Sequence, residues 1–115
     1  MIVDDQKAAR FGLSLLVKKA ADMHVMVSAT NGQEAIEVLS RMKEANDLLP
    51  QVILMDIRMP FLNGIEATER IIASFDKIKI LIMTTYDQDD YALSALDAGA
   101  SGYLLKDARS RDLQN

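Results

Sequence analysis

Residues 52–56 read Val-Ile-Leu-Met-Asp, four apolar residues closed by a carboxylate. A run this short and this evenly apolar is the pattern of a parallel strand covered on both faces, because a strand with one wet face alternates apolar and polar residues. The following stretch, 57–64, contains Pro60 and the turn dipeptide Asn63-Gly64 and reads as a loop; helical spacing resumes through Ile65, Thr68, Ile72 and Phe75. Strand, loop and helix form one unit, and the same unit repeats in both directions from it.

Towards the N-terminus, Ile2–Asp4 reads as a strand, and Ala9, Leu13, Leu16, Val17 and Ala20 recur at helix spacing across Lys7–Ala21. Val25–Ala29 reads as a second strand. Asn31 precedes Glu34 by three residues, a capping-box-like start, and Ala35, Val38, Leu39 and Met42 then make one apolar stripe that ends before Pro50. Towards the C-terminus, Lys79–Thr84 is a fourth strand. Asp87, Asp89 and Asp90 suit a helix N-terminus, and that helix runs to about Ala98, where Gly99 stops it. Gly102–Leu105 is a fifth strand, and Ser110 can cap a last helix with room for little more than one turn before Asn115. Five strands alternating with helices predict an α/β fold: an open parallel sheet with right-handed crossovers and helices on both faces.

The 115 residues suit one domain, spanning 1–115. A content of 50% hydrophobic and 26% charged residues argues for a globular chain and against a disordered one. With no cysteine, disulfides, thiolate zinc sites and a cysteine nucleophile are excluded by counting, and a reducing cytoplasm fits. The net charge of -4 has the wrong sign for binding DNA by counterion release. The apolar runs Val52–Met55 and Ile80–Met83 fall far short of the ~20 residues of a membrane span, and Asp4 and Asp5 arrive before a secretory signal could form, so neither a span nor a signal is expected. His24, the single histidine, reads as structural or surface; the seven methionines read as core packing; Phe11, Phe61 and Phe75 are too scattered to form a stacking platform for nucleic acid.

In open parallel sheets, ligands sit beyond the carboxyl ends of the strands. Those ends carry Asp4 and Asp5 on the first strand, Asp56 on the third, Thr84 on the fourth and Lys106 on the fifth. Each has an ordinary reading when taken alone: a solvated turn, a loop cap, a backbone-bonded hydroxyl, a surface lysine. Their coincidence on one edge is the signal. Two like charges about 4 Å apart repel by roughly 4 kcal/mol at an effective dielectric near 20, so three clustered carboxylates require a cation. Hard oxygen donors without a His or Cys cluster favour magnesium. An oxygen nucleophile, a magnesium ion, an ammonium and a hydroxyl together are the equipment of phosphoryl transfer, with a carboxylate becoming an acyl phosphate.

The strings IVDDQ, VILMDIRMPFLNGIEAT and ILIMTTYDQDDYALSALDAGASGYLLKD, in this order, resemble the receiver domains of bacterial two-component response regulators, in particular the NarL/FixJ-type subfamily. The resemblance covers essentially the whole chain. It implies a flavodoxin-like, CheY-like fold with strand order 2-1-3-4-5. It further implies that Asp56 accepts a phosphoryl group from a phosphohistidine on a sensor histidine kinase. Asp5 and Asp56 would be direct Mg2+ ligands, with the backbone carbonyl of Arg58 as a third and Asp4 acting through water. Lys106 resembles the lysine that pairs with the phosphoryl oxygens, Thr84 the hydroxyl residue that moves to the phosphoryl group, and Tyr103 the aromatic switch behind it. Arg58 and Tyr86 occupy loop positions that tune the lifetime of the phosphorylated state, or are simply solvated. The face formed by helix four, strand five and helix five is expected to report the change, with homodimerisation on phosphorylation as one form of output. The first strand is shorter than is usual in the family and the last helix is cut short, so a chain trimmed at both ends is expected. The helix-turn-helix DNA-binding domain that usually follows is not encoded in these residues, and DNA would be engaged only through it.

Three other readings meet specific objections. A haloacid-dehalogenase-type phosphatase resembles Asp-x-Asp, but the second acid of that pair is replaced here by Arg58. A flavodoxin would place a phosphate loop after strand one, where Asp4 and Asp5 repel phosphate. An inactive interaction module has no need of the full set of acceptor-site residues.

Overall fold

The computed structural model describes residues 1–57, 62–84 and 89–105. Its order is β1 (Ile2–Val3), α1 (Lys7–Lys18), β2 (Ser28–Ala29), α2 (Gly32–Glu44), β3 (Val52–Asp56), α3 (Gly64–Ser74), β4 (Lys79–Thr84), α4 (Asp89–Asp97) and β5 (Gly102–Leu105). The strands form one five-stranded sheet in the order β2-β1-β3-β4-β5, with every pairing parallel. Class and strand order therefore agree with the expectation. Pro60, Asp87, Ser110 and the expected last helix lie outside the described residues.

Alternation along β3 divides the core between the two faces of the sheet. Ile53 and Met55 join Val3, Ile80 and Ile82 in a cluster covered by Ala35 and Leu39 of α2, Ala67 and Ile71 of α3 and Ala95 of α4. Leu54 turns the other way and packs with Ile2, Met83 and Leu13 of α1. Ile53, Met55, Ile80 and Ile82 are fully buried, each worth about 1.5–3 kcal/mol of transfer free energy.

Helix starts follow their caps. The Asn31 side chain accepts the Glu34 N–H at 2.8 Å, and the Glu34 carboxylate accepts the Thr30 N–H at 3.0 Å. The reciprocal bond thus reaches one residue before the cap. α3 begins one residue earlier than its apolar spacing predicts, because Asn63 is itself an N-cap: its side-chain oxygen accepts the N–H groups of Ile65 and Glu66, both at 2.9 Å. Gly99 closes α4 with φ +113°, a backbone region that favours glycine.

β2 and α1 fall furthest short of expectation, and β1 ends at Val3 rather than Asp4. β2 spans Ser28–Ala29 rather than the expected Val25–Ala29, since among the described residues its one neighbour in the sheet, β1, is two residues long and offers partners to no more. The Val27 carbonyl still accepts the Ile2 N–H at 3.2 Å. α1 stops at Lys18 rather than Ala21, its end tightened by bonds from the Lys19 and Ala20 N–H groups to carbonyls three residues back.

Candidate functional site

Because all strands run in one direction, their carboxyl ends share one edge. β1 lies beside β3 with Val3 opposite Met55, so the next residues, Asp4 and Asp56, emerge side by side. Asp4 continues the sheet pairing for one more bond, its N–H donating to the Ala29 carbonyl at 3.1 Å. One carboxylate oxygen from each of Asp4, Asp5 and Asp56 lies within 4.8 Å of the others. Asp4 is 1% exposed and Asp56 9%, whereas Asp5 faces solvent.

Local bonds hold this cluster. Oδ1 of Asp4 accepts the Gln6 N–H at 3.0 Å, and Nη1 of Arg10 donates to the Asp4 carbonyl at 2.8 Å. Asp56 is held from the opposite side. The Gly64 N–H donates to the Ile57 carbonyl at 2.9 Å, and a Cβ on Gly64 would collide with the Asp56 carbonyl oxygen. Only glycine allows that approach.

At 4.8 Å an ionised pair repels by roughly 3.5 kcal/mol for an effective dielectric near 20, so the cluster favours a bound cation. Its donors are all hard carboxylate oxygens, a set that fits Mg2+ and offers nothing to a soft metal.

The other expected site residues are placed as follows. Thr84 is the last residue of β4, paired with Leu105 of β5. Tyr103 pairs with Ile82 and is 46% exposed, a half-solvated strand aromatic. Lys106, Arg58 and Tyr86 lie outside the described residues. Gln6 and Arg10 were not anticipated. Both act on backbone or through backbone, and such contacts leave no residue-type pattern; Asn63, by contrast, repeats the Asn-Gly-x-Glu string of Asn31 to Glu34 and could have been found from it.

Among the described residues no helix is long and apolar enough to cross a membrane. The family model of the response regulator receiver domain matches residues 1–115. The transcriptional regulatory protein LnrK of Bacillus subtilis (strain 168) is 44% identical over 107 residues, covering 93% of this chain and 46% of the relative. DegU of Brevibacillus brevis is 35% identical, covering 93% and 43%. A solved two-component response regulator of the LuxR family from Aurantimonas sp. SI85-9A1 superposes with TM-score 0.79 at 34% identity, over 92% of this chain and 71% of that one. The chain belongs to the response regulator receiver domain family. Its relatives are transcriptional regulators, and it spans about half the length of the curated relatives it matches.

Proposed function

We propose that this chain is the phospho-accepting input module of a transcriptional response regulator, with Asp56 as the acceptor. The observation that carries this is the convergence of the Asp4, Asp5 and Asp56 carboxylates, drawn from the ends of two adjacent strands, within 4.8 Å. An Asp56 carboxylate oxygen attacks the phosphorus of a phosphohistidine on a sensor histidine kinase. The new P–O bond makes an acyl phosphate, the P–N bond breaks, and the departing imidazole nitrogen takes a proton from solvent. Asp5 and Asp56, with the Arg58 backbone carbonyl, would hold Mg2+ directly, and Asp4 through water; the ion supplies positive charge that offsets the phosphoryl oxygens. The chain thus acts only on itself, promoting its own phosphorylation and dephosphorylation.

Phosphorylation adds about -1.5 to -2 charges at the sheet edge. Thr84 and Lys106 answer that charge with new charge-assisted hydrogen bonds, Tyr103 follows as the aromatic switch, and Arg58 and Tyr86 set how long the state lasts. Moving a two-state population from 1:99 to 99:1 takes roughly 5.5 kcal/mol of differential interaction, within the reach of a few such bonds. The output passes, in a cytoplasmic regulator, to a C-terminal helix-turn-helix domain beyond residue 115, with homodimerisation as one means of transmission. The relatives' names as transcriptional regulators and their roughly doubled length support this.

Incubation with acetyl phosphate and Mg2+ tests the proposal. Intact mass should show one phosphoryl adduct that is lost in EDTA and lost in Asp56→Asn. An undiminished adduct in Asp56→Asn removes Asp56 from the acceptor role.

A further inference from the structure

We infer that Arg10 is a positioning residue for the acidic cluster: its hydrogen bond to the Asp4 carbonyl sets the plane of the Asp4–Asp5 peptide, and thereby the direction from which the Asp5 carboxylate enters the site. The inference rests on the proposed use of the cluster as a divalent-cation site. A peptide unit is planar, so fixing the carbonyl of Asp4 also fixes the nitrogen and the Cα of Asp5, from which its side chain springs. Three hydrogen bonds to Asp4 bear on this. Its N–H donates to Ala29 in β2 at 3.1 Å, its carboxylate accepts the Gln6 N–H at 3.0 Å, and its carbonyl accepts Nη1 of Arg10 at 2.8 Å. The first two bonds orient the strand end and the Asp4 side chain. The third acts directly on the carbonyl of the peptide leading to Asp5.

Asp5 needs that help because its side chain is exposed and core packing gives it no support. Arg10 is well anchored to give it. The residue lies within α1, half-buried, with its own N–H donating to the Gln6 carbonyl at 3.1 Å and its carbonyl accepting the Ser14 hydroxyl at 2.8 Å. The guanidinium therefore ties the loop carrying the acidic pair to the first turns of a rigid helix. A cation bonded to the main chain of Asp4 also has an opposing electrostatic effect, since it lowers the cluster's attraction for a metal ion. Positioning and charge thus predict opposite outcomes when Arg10 is removed.

The test is isothermal titration calorimetry of Mg2+ into the whole chain for wild type, Arg10→Ala and Arg10→Lys, with melting temperatures taken in EDTA. Arg10→Ala should bind Mg2+ about tenfold more weakly, the low end of what losing an outer-shell partner costs a metal site. Arg10→Lys, which keeps a charged donor, should recover most of the affinity. Equal or tighter binding by Arg10→Ala overturns the inference, as does a lower melting temperature with unchanged affinity; if the alanine variant does not fold, Arg10→Lys must still bind more tightly than Arg10→Gln or the inference fails. A wild-type chain that takes up no Mg2+ overturns instead the metal-site reading on which the inference stands.

Discussion

Gly64 lies against the backbone of Asp56. A Cβ at Gly64 would collide with the Asp56 carbonyl oxygen and stand 2.9 Å from the Ile57 Cα, and both obstacles are main chain. Relief requires moving either α3 or Asp56, the proposed acceptor. Gly64→Ala should therefore cost about 1–3 kcal/mol in urea unfolding, the range for overpacking. It should also slow labelling by acetyl phosphate in the folded fraction. Leu39→Ala, on the buried face of α2, should lower stability without that slowing, and equal labelling rates in the two variants would contradict the coupling of Gly64 to Asp56.

Ile53, the second residue of β3, is fully buried. Ile53→Ala should lower unfolding free energy by about 2–5 kcal/mol and Ile53→Val by about 0.5–1.5, with the urea m-value unchanged. A loss below 0.5 kcal/mol for alanine, on the same cited scale, would mean that the site collapses freely and that β3 is not the core strand.

Two asparagines cap α2 and α3 through side-chain oxygens at 2.8–2.9 Å from backbone N–H groups. Asn31→Ala and Asn63→Ala should each cost about 1 kcal/mol, and the serine variants should recover most of it. Thermal unfolding of the single and double variants measures this, and a departure from additivity is expected because the two helix starts adjoin, the Gly32 N–H donating to the Leu62 carbonyl at 3.3 Å.

Much of this architecture can be read from residue types. The apolar run Val52–Met55 marks a doubly covered strand, Asn31 with Glu34 marks a helix start, and Gly99 marks a stop; each is a local rule acting on local atoms. The convergence of Asp4, Asp5 and Asp56 was legible for a different reason, since parallel strands deliver their carboxyl ends to one edge. Part of what escaped was set by tertiary context. β2 is limited by the length of β1, not by its own propensity. Asn63 was hidden because Asn-Gly is also a turn signal, and here the turn and the cap are the same residue. Arg10 reaches a backbone carbonyl, which any residue could have offered.

Clustered acids make metal removal informative. Asp5→Asn relieves repulsion within the cluster, so in EDTA it should melt at a higher temperature than wild type. Wild type should gain stability with Mg2+ as binding to the folded state predicts, about 2.7 kcal/mol at a hundredfold excess over Kd, and the variant should lose most of that gain. An identical Mg2+ response in both chains would remove Asp5 from the ligand set.

The most direct measurement traps the acyl phosphate where it forms. Borohydride reduction of the chain labelled with acetyl phosphate and Mg2+ converts a phosphorylated aspartate to homoserine, and peptide mapping by mass spectrometry then locates it. The account predicts homoserine at position 56, absent when EDTA replaces Mg2+. Homoserine at position 4 or 5 instead, or a labelled chain with none at 56, would contradict it.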